Sequence, residues 1–118
     1  MAEILAGMSK KTRLLMAPVL KDPQSVISAK SIGHYKRIAI KDFGYIDVKI
    51  SFEDLNVLLP DGLLEDVHAS WWLHFTHVKR TYRLERDQFA IMEQGPDVPI
   101  SREKARAFKE KCEMQGKL

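Results

Sequence analysis

The sequence has one cysteine, Cys112, and no run of apolar residues long enough to cross a membrane. A single cysteine cannot form an intramolecular disulfide, so nothing in the chain requires an oxidising compartment. A membrane-spanning helix needs about 20 mostly apolar residues in a row. The first residues also lack the basic start and apolar run of a secretory signal. We therefore expect a protein of the cytoplasm, or of a host cytoplasm, with no membrane span.

The motifs of common catalytic and metal sites are missing as well. There is no glycine-rich phosphate loop, no Cys-x-x-Cys and no His-Glu-x-x-His. Cys112 falls in a charged segment and shares a helical face with Ala105 and Phe108, which favours packing over nucleophilic chemistry. The leading expectation is therefore a protein without catalytic activity, cofactor, bound metal or small-molecule substrate.

Charge is spread unevenly along an otherwise ordinary composition. The hydrophobic fraction of 45% and the charged fraction of 30% are typical of a single small globular domain, here 1–118. Residues 1–41 carry eight Lys or Arg against two acids, with much of this excess in a basic N-terminal segment, 1–33. Residues 42–67 carry seven acids against one Lys. Such asymmetry predicts either a surface for a polyanion or two faces that attract each other, within one chain or between copies.

The clearest strand pattern is YIDVKISF, in which Ile46, Val48 and Ile50 alternate with polar residues. The preceding YKRIAIKD alternates in the same way. The connection contains Gly44, which can adopt a positive φ. These features predict an antiparallel β-hairpin over residues 35–52.

Residues 62–93 predict one long amphipathic helix. At 100° per residue, nine apolar side chains fall within an arc of roughly 120°. They are Leu63, Leu64, Val67, Trp71, Phe75, Val78, Tyr82, Phe89 and Met92. A strand over WWLHFTHV would also align Trp71, Leu73 and Phe75, but it explains only that short piece. A helix of this length would measure ~45 Å, so we expect it to break or to pair with a partner.

The fold class that these elements predict is α+β. The hairpin packs on the long helix, and short helices lie at both ends of the chain. One of these begins near Ser25, and a charged one spans 101–115 with Ser101 as its N-cap. A lone hairpin is only marginally stable, so we expect a homo-oligomer in which a second copy adds cover.

The leading functional hypothesis is a non-enzymatic oligomeric interaction protein, such as an adaptor, an inhibitor or a phage or viral accessory factor. It would bind a protein partner through the amphipathic helix, because exposed tryptophans often anchor interfaces. The candidate interface residues are Trp71, Trp72, Phe75, Val78 and Tyr82.

The first alternative is a nucleic-acid-binding module. Contacts with phosphates need only positive charge along a line, and basic residues occur both near the N-terminus and in 79–86. Interleaved Glu85 and Asp87 weaken this pattern. The candidate residues are Lys10, Lys11, Arg13, Lys36, Arg37, Lys79, Arg80, Arg83 and Arg86.

The second alternative is a small metal-dependent or histidine-based enzyme centred on His68, His74 and His77. His74 and His77 are three residues apart, so they would be neighbours on a helix. A zinc site needs at least a third ligand, and His68 would lie on another side of that helix. The simpler interpretation is that His74 borders the core.

Overall fold

The computed structural model describes residues 2–118 as two antiparallel sheets with four α-helices. The helices are α1 (Ala2–Gly7), α2 (Lys10–Lys21), α3 (Phe52–Leu58) and α4 (Arg102–Met114), and two 3₁₀ turns occur at Pro23–Ser25 and Phe75–His77. The strands are β1 (Val26–Ile32), β2 (Tyr35–Ile40), β3 (Gly44–Val48), β4 (Glu65–His68), β5 (Trp71–Leu73), β6 (Val78–Leu84), β7 (Asp87–Met92) and β8 (Val98–Ile100). One sheet has the order β3-β2-β1-β5-β4, and the other has the order β6-β7-β8. None of the helices described in residues 2–118 is long and apolar enough to cross a membrane.

The predicted fold class, one hairpin on a long helix over 62–93, is wrong, because that region is mostly strand. It forms β4, β5, a 3₁₀ turn, β6 and β7. In β7 the side chains of Gln88, Ala90 and Met92 are buried and alternate with more exposed residues, which is the period of a strand. The chain reverses between β6 and β7 at Glu85, which adopts a φ of 56° without being a glycine.

The predicted hairpin is present as β2 and β3, but it is part of a larger sheet. Arg37 pairs with Asp47 and Ile38 with Ile46 in an antiparallel register. Strand β2 also pairs with β1, where a helix beginning near Ser25 was predicted; that prediction is wrong. A sheet of five strands needs no second copy to complete it.

The five-stranded sheet is covered on both faces. Helices α1, α2 and α3 lie on one face and bury a cluster that includes Met16, Val19, Val26, Ile38, Val48 and Leu55. The three-stranded sheet and α4 cover part of the other face and bury Ile27, Leu73, Val78, Val98, Phe108 and Cys112. The molecule therefore has three layers, with the five-stranded sheet in the middle.

Helix α4 coincides with the charged C-terminal helix predicted over 101–115, and its end is tied to β6. The Lys117 amide donates to the Cys112 carbonyl at 2.7 Å, and the Thr81 amide donates to the Lys117 carbonyl at 3.1 Å. The Lys117 ammonium donates to the Val78 carbonyl at 2.6 Å. These bonds fix the charged side of α4 beside the β6–β7 hairpin.

Two leucines within 62–93 test the corrected fold. Leu73 is completely buried, whereas Leu84 is 62% exposed near the end of the β6–β7 hairpin. We expect Leu73→Ala to lower the free energy of unfolding by about 2–5 kcal/mol, because it leaves a cavity in the core. Leu84→Ala should change it by less than about 0.5 kcal/mol. Urea denaturation measures both, and similar losses in the two variants would contradict this arrangement.

Candidate nucleic-acid interface

Five cationic side chains line an open groove between the β6–β7 hairpin and α4. Arg83 and Arg86 come from the end of the hairpin, and Arg102, Arg106 and Lys109 come from α4. The spacings of four and three residues place the three α4 side chains on one side of that helix. We call this set the basic groove.

The cations of the basic groove are only weakly neutralised. Arg102 Nε lies 3.5 Å from Asp87 Oδ1, and Arg106 Nε lies 3.4 Å from Glu110 Oε1. Both arginines are well exposed to solvent. Exposed ion pairs of this kind contribute about 0–1 kcal/mol and exchange readily for other anions. Arg86 and Lys109 have no ion pair within residues 2–118. The groove therefore presents positive charge that a polyanion can use.

The floor of the basic groove is held by polar contacts across the hairpin. Gln88 is buried at the floor, and its amide donates to the hydroxyl of Thr81. That hydroxyl donates in turn to the Phe89 carbonyl at 2.7 Å. Arg83 Nε donates to the Glu85 carbonyl at 3.0 Å, which directs its side chain back over the turn. The hairpin end is thus ordered before any ligand arrives.

The structure separates the other predicted cations from the basic groove. Lys79 and Arg80 are exposed on β6 but do not line it. The remaining residues lie elsewhere: Lys10, Lys11 and Arg13 on α2, in the layer on the other side of the five-stranded sheet, and Lys36 and Arg37 on β2.

The two β2 cations already have partners. The Lys36 ammonium lies over the ring of Phe52 at 4.8 Å, and this lysine is buried. The Arg37 guanidinium makes two hydrogen bonds to the Asp47 carboxylate, at 2.9 and 3.0 Å, and these lower the pKa of Asp47. A nucleic acid would have to displace these contacts to use either cation.

Sequence reasoning missed the α4 cations as site residues. Arg102, Arg106 and Lys109 follow the spacing of one helical face, and this signal was visible in the sequence. Of the basic residues in this helix, only the lysines towards its end were interpreted, as a complement to the helix dipole. That α4 lies beside Arg83 and Arg86 is a tertiary contact with no local signal.

The two tryptophans proposed as interface residues are on opposite faces of the five-stranded sheet. Trp71 is buried in β5 on the face towards the three-stranded sheet. Trp72 stacks on Phe52 of α3, with ring centroids 5.2 Å apart, on the other face. A single partner surface therefore cannot contain both rings.

The other three proposed interface residues are dispersed as well. Phe75 packs edge-on against Phe108 at 5.9 Å, and Val78 is almost completely buried. Tyr82 is partly exposed and donates to the Asp97 carboxylate at 2.9 Å, which raises the pKa of Tyr82. Their role in binding a protein partner stays a prediction.

Two of the three histidines of the predicted site, His74 and His77, bind backbone carbonyls and one carboxylate. His74 Nδ1 donates to the Val26 carbonyl at 2.9 Å. His77 Nδ1 lies 3.0 Å from Glu93 Oε2, and His77 Nε2 lies 2.6 Å from the Gln24 carbonyl. The contact with His77 lowers the pKa of Glu93, and burial lowers the pKa of His74. These side chains fasten the start of β1 to the second sheet.

His68 takes no part in that arrangement. Its Nδ1 accepts a hydrogen bond from the Ser70 amide at 3.0 Å, within the β4–β5 turn. Over residues 2–118, no three His, Cys, Asp or Glu side chains are grouped so that they could hold a metal ion. The free thiol of Cys112 is buried, and burial raises its pKa, which disfavours the nucleophilic thiolate.

The lowered pKa of His74 predicts how stability depends on pH. Near pH 6.5 the histidine of the unfolded chain binds a proton more readily than that of the folded chain. The contribution of His74 to the free energy of unfolding is therefore present above about pH 6.5 and is lost as the pH falls towards the folded-state pKa. As the pH is lowered from about 7 to about 5, we expect the free energy of unfolding to decrease less for His74→Gln than for the parent protein. Denaturant titrations at several pH values measure this. His34→Gln, at an exposed turn, is the matched control, and an identical pH profile for all three proteins would contradict the assignment.

Comparison with solved structures finds a similarity of fold. The fold is similar to a solved LytTr DNA-binding domain from a Bacillus cereus protein described as a methyl-accepting/DNA response regulator, with a TM-score of 0.60. The two chains are 21% identical, and the match covers 73% of this chain and 79% of the other. No protein-family model matches the sequence, and no curated protein matches it. The chain therefore shares the fold of a LytTr domain: strands in two antiparallel sheets, with short helices.

Proposed function

We propose that this protein binds double-stranded DNA through the basic groove. The observation that carries the proposal is the convergence of five exposed cations from two separate elements onto one open surface. Neutralising phosphates with Lys and Arg releases counterions, and this supplies much of the free energy of protein–DNA binding. Arginine adds paired hydrogen bonds to phosphate oxygens, and four of the five cations are arginines.

The elements that bear these cations suit a duplex. A helix or a two-stranded ribbon can enter a major groove about 12 Å wide, and the basic groove is formed by one of each. The buried side chains of α4, Phe108 and Cys112, anchor the helix, so its cations are fixed relative to the hairpin. Fixing the helix beside the hairpin before binding lowers the entropic cost of association.

The likeness to a LytTr DNA-binding domain supports DNA over other polyanions. It also agrees better with the nucleic-acid alternative drawn from the sequence than with the leading protein-partner hypothesis. That hypothesis depended on an amphipathic helix over 62–93, where the structure has strands. Self-association, on which it also drew, stays a prediction.

The first test neutralises Arg86 and Lys109, two groove cations that have neither an ion pair nor a side-chain hydrogen bond in the described chain. We expect Arg86→Gln/Lys109→Gln to weaken binding to DNA and to reduce the slope of log K against log salt concentration by about 2, because each lost phosphate contact removes about 0.9. Fluorescence anisotropy with a labelled duplex of mixed sequence, two or three helical turns long, measures both quantities. Their exposed positions should leave the folded state intact.

The control carries the same change in charge on the opposite layer. Lys10→Gln/Lys11→Gln, on α2, should keep both the affinity and the salt slope of the parent protein. Equal losses in the two double variants would mean that net charge, and not the groove, governs binding. A loss in the α2 variant alone would move the interface to the N-terminal cations, and failure of the parent protein to bind duplex at low salt would overturn the proposal.

A further inference from the structure

An apolar pocket of about 180 Å³ lies where the second sheet stops covering the five-stranded sheet. Its walls include Ile27, Ala39, Tyr45 and Trp71 from four strands, and Pro96 from the β7–β8 connection. We call this cavity the apolar pocket. It shares no lining residue with the basic groove.

The apolar pocket is formed before any ligand binds, because its outer wall is pinned in place. The Asp42 amide donates to the Gln94 side-chain oxygen at 2.6 Å, and the Gln94 amide donates to the Asp42 carboxylate at 2.7 Å. This pair ties the β7–β8 connection to the β2–β3 turn. Gly95 follows with a φ of 84°, so close to Ala39 that an added β-carbon would lie 3.5 Å from the alanine Cβ. A ligand would not have to order this wall, so little binding energy is lost to it.

One cation at the edge of the apolar pocket is free to pair with a ligand. Lys30 on β1 lies opposite Arg37 on one side and Trp71 on the other. Arg37 is already neutralised by its two hydrogen bonds to Asp47. Lys30 has no ion pair within residues 2–118, and its ammonium lies 5.2 Å from the centre of the Trp71 ring.

We propose that the apolar pocket binds a small aromatic carboxylate. A cavity of about 150 Å³ lined by apolar side chains is known to take up benzene, so 180 Å³ has room for a single ring. The ring of the ligand lies against Trp71 and the apolar walls, where stacking adds to burial. Its carboxylate faces the Lys30 ammonium at the open side. This inference is independent of the DNA-binding proposal.

The experiment compares benzoate with benzyl alcohol, which has nearly the same shape but no charge. Trp71 reports binding through its fluorescence, and Trp72→Phe removes the other tryptophan while keeping an aromatic ring beside Phe52. In this background we expect saturable changes with both ligands. Benzoate should bind about fivefold more tightly, the size expected from one partly exposed charge pair.

Lys30→Met then tests the role of the cation. Methionine has an unbranched side chain of similar length but no charge. We expect the ratio of benzoate affinity to benzyl alcohol affinity to fall to about one, while benzyl alcohol binds as before. Lys21→Met, at the exposed end of α2, makes the same change of charge away from the pocket and should keep the preference. Denaturant midpoints close to that of the parent would show that each variant is folded.

Three results would overturn the proposal. Neither ligand saturating the Trp71 signal would mean that the apolar pocket does not take up a ring. Equal binding of benzoate and benzyl alcohol by the Trp72→Phe protein would mean that the apolar pocket does not recognise a carboxylate. An unchanged preference in Lys30→Met would mean that the charge recognition occurs elsewhere.

Discussion

The second face of the five-stranded sheet has to be buried, and the rest of the molecule is arranged around that requirement. Leu73 and Cys112 belong to the cluster buried there and are both fully buried, and a leucine side chain removed from water contributes about 1.5–3 kcal/mol. Helix α4 supplies its apolar side to this contact, so its charged side must face outwards, beside the β6–β7 hairpin. The basic groove is therefore a by-product of core packing. The apolar pocket lies beside this cover, between strands of the five-stranded sheet and the β7–β8 connection.

The sequence allowed the elements with an unbroken pattern to be predicted and concealed the others. Ile46 and Val48 alternate without interruption beside Gly44, so the β2–β3 hairpin could be recognised. From β4 to β7 the strands are short, and irregularities between Asp66 and His68 and between Val78 and Arg80 shift the alternation. No glycine marks the β6–β7 turn. Apolar residues whose alternation is shifted in this way can fall on one side of a helical wheel by chance, and this produced the false long helix.

Part of the candidate site could be predicted from charge alone. Arg83 and Arg86 were among the nine candidate cations because basic residues recur over 79–86, and the α4 cations had the spacing of one helical face. That the two sets meet depends on how α4 packs, which no local pattern contains. Charge alone also could not show which cations are free. Arg37 and Lys36 looked equivalent to Arg86 in the sequence, but one pairs with Asp47 and the other is buried against an aromatic ring.

If the basic groove binds DNA as proposed, its cations would explain affinity better than choice of sequence. Its five cations match phosphates, which are the same along every duplex, and sequence is read from base edges or from the shape of the DNA. Gln88 is the one uncharged polar side chain in the groove lining, but it is buried and its amide is already bonded to Thr81. It cannot reach a base edge without breaking that contact. Any selectivity of such binding would have to come from arginines that reach base edges or from the sequence-dependent shape of the DNA.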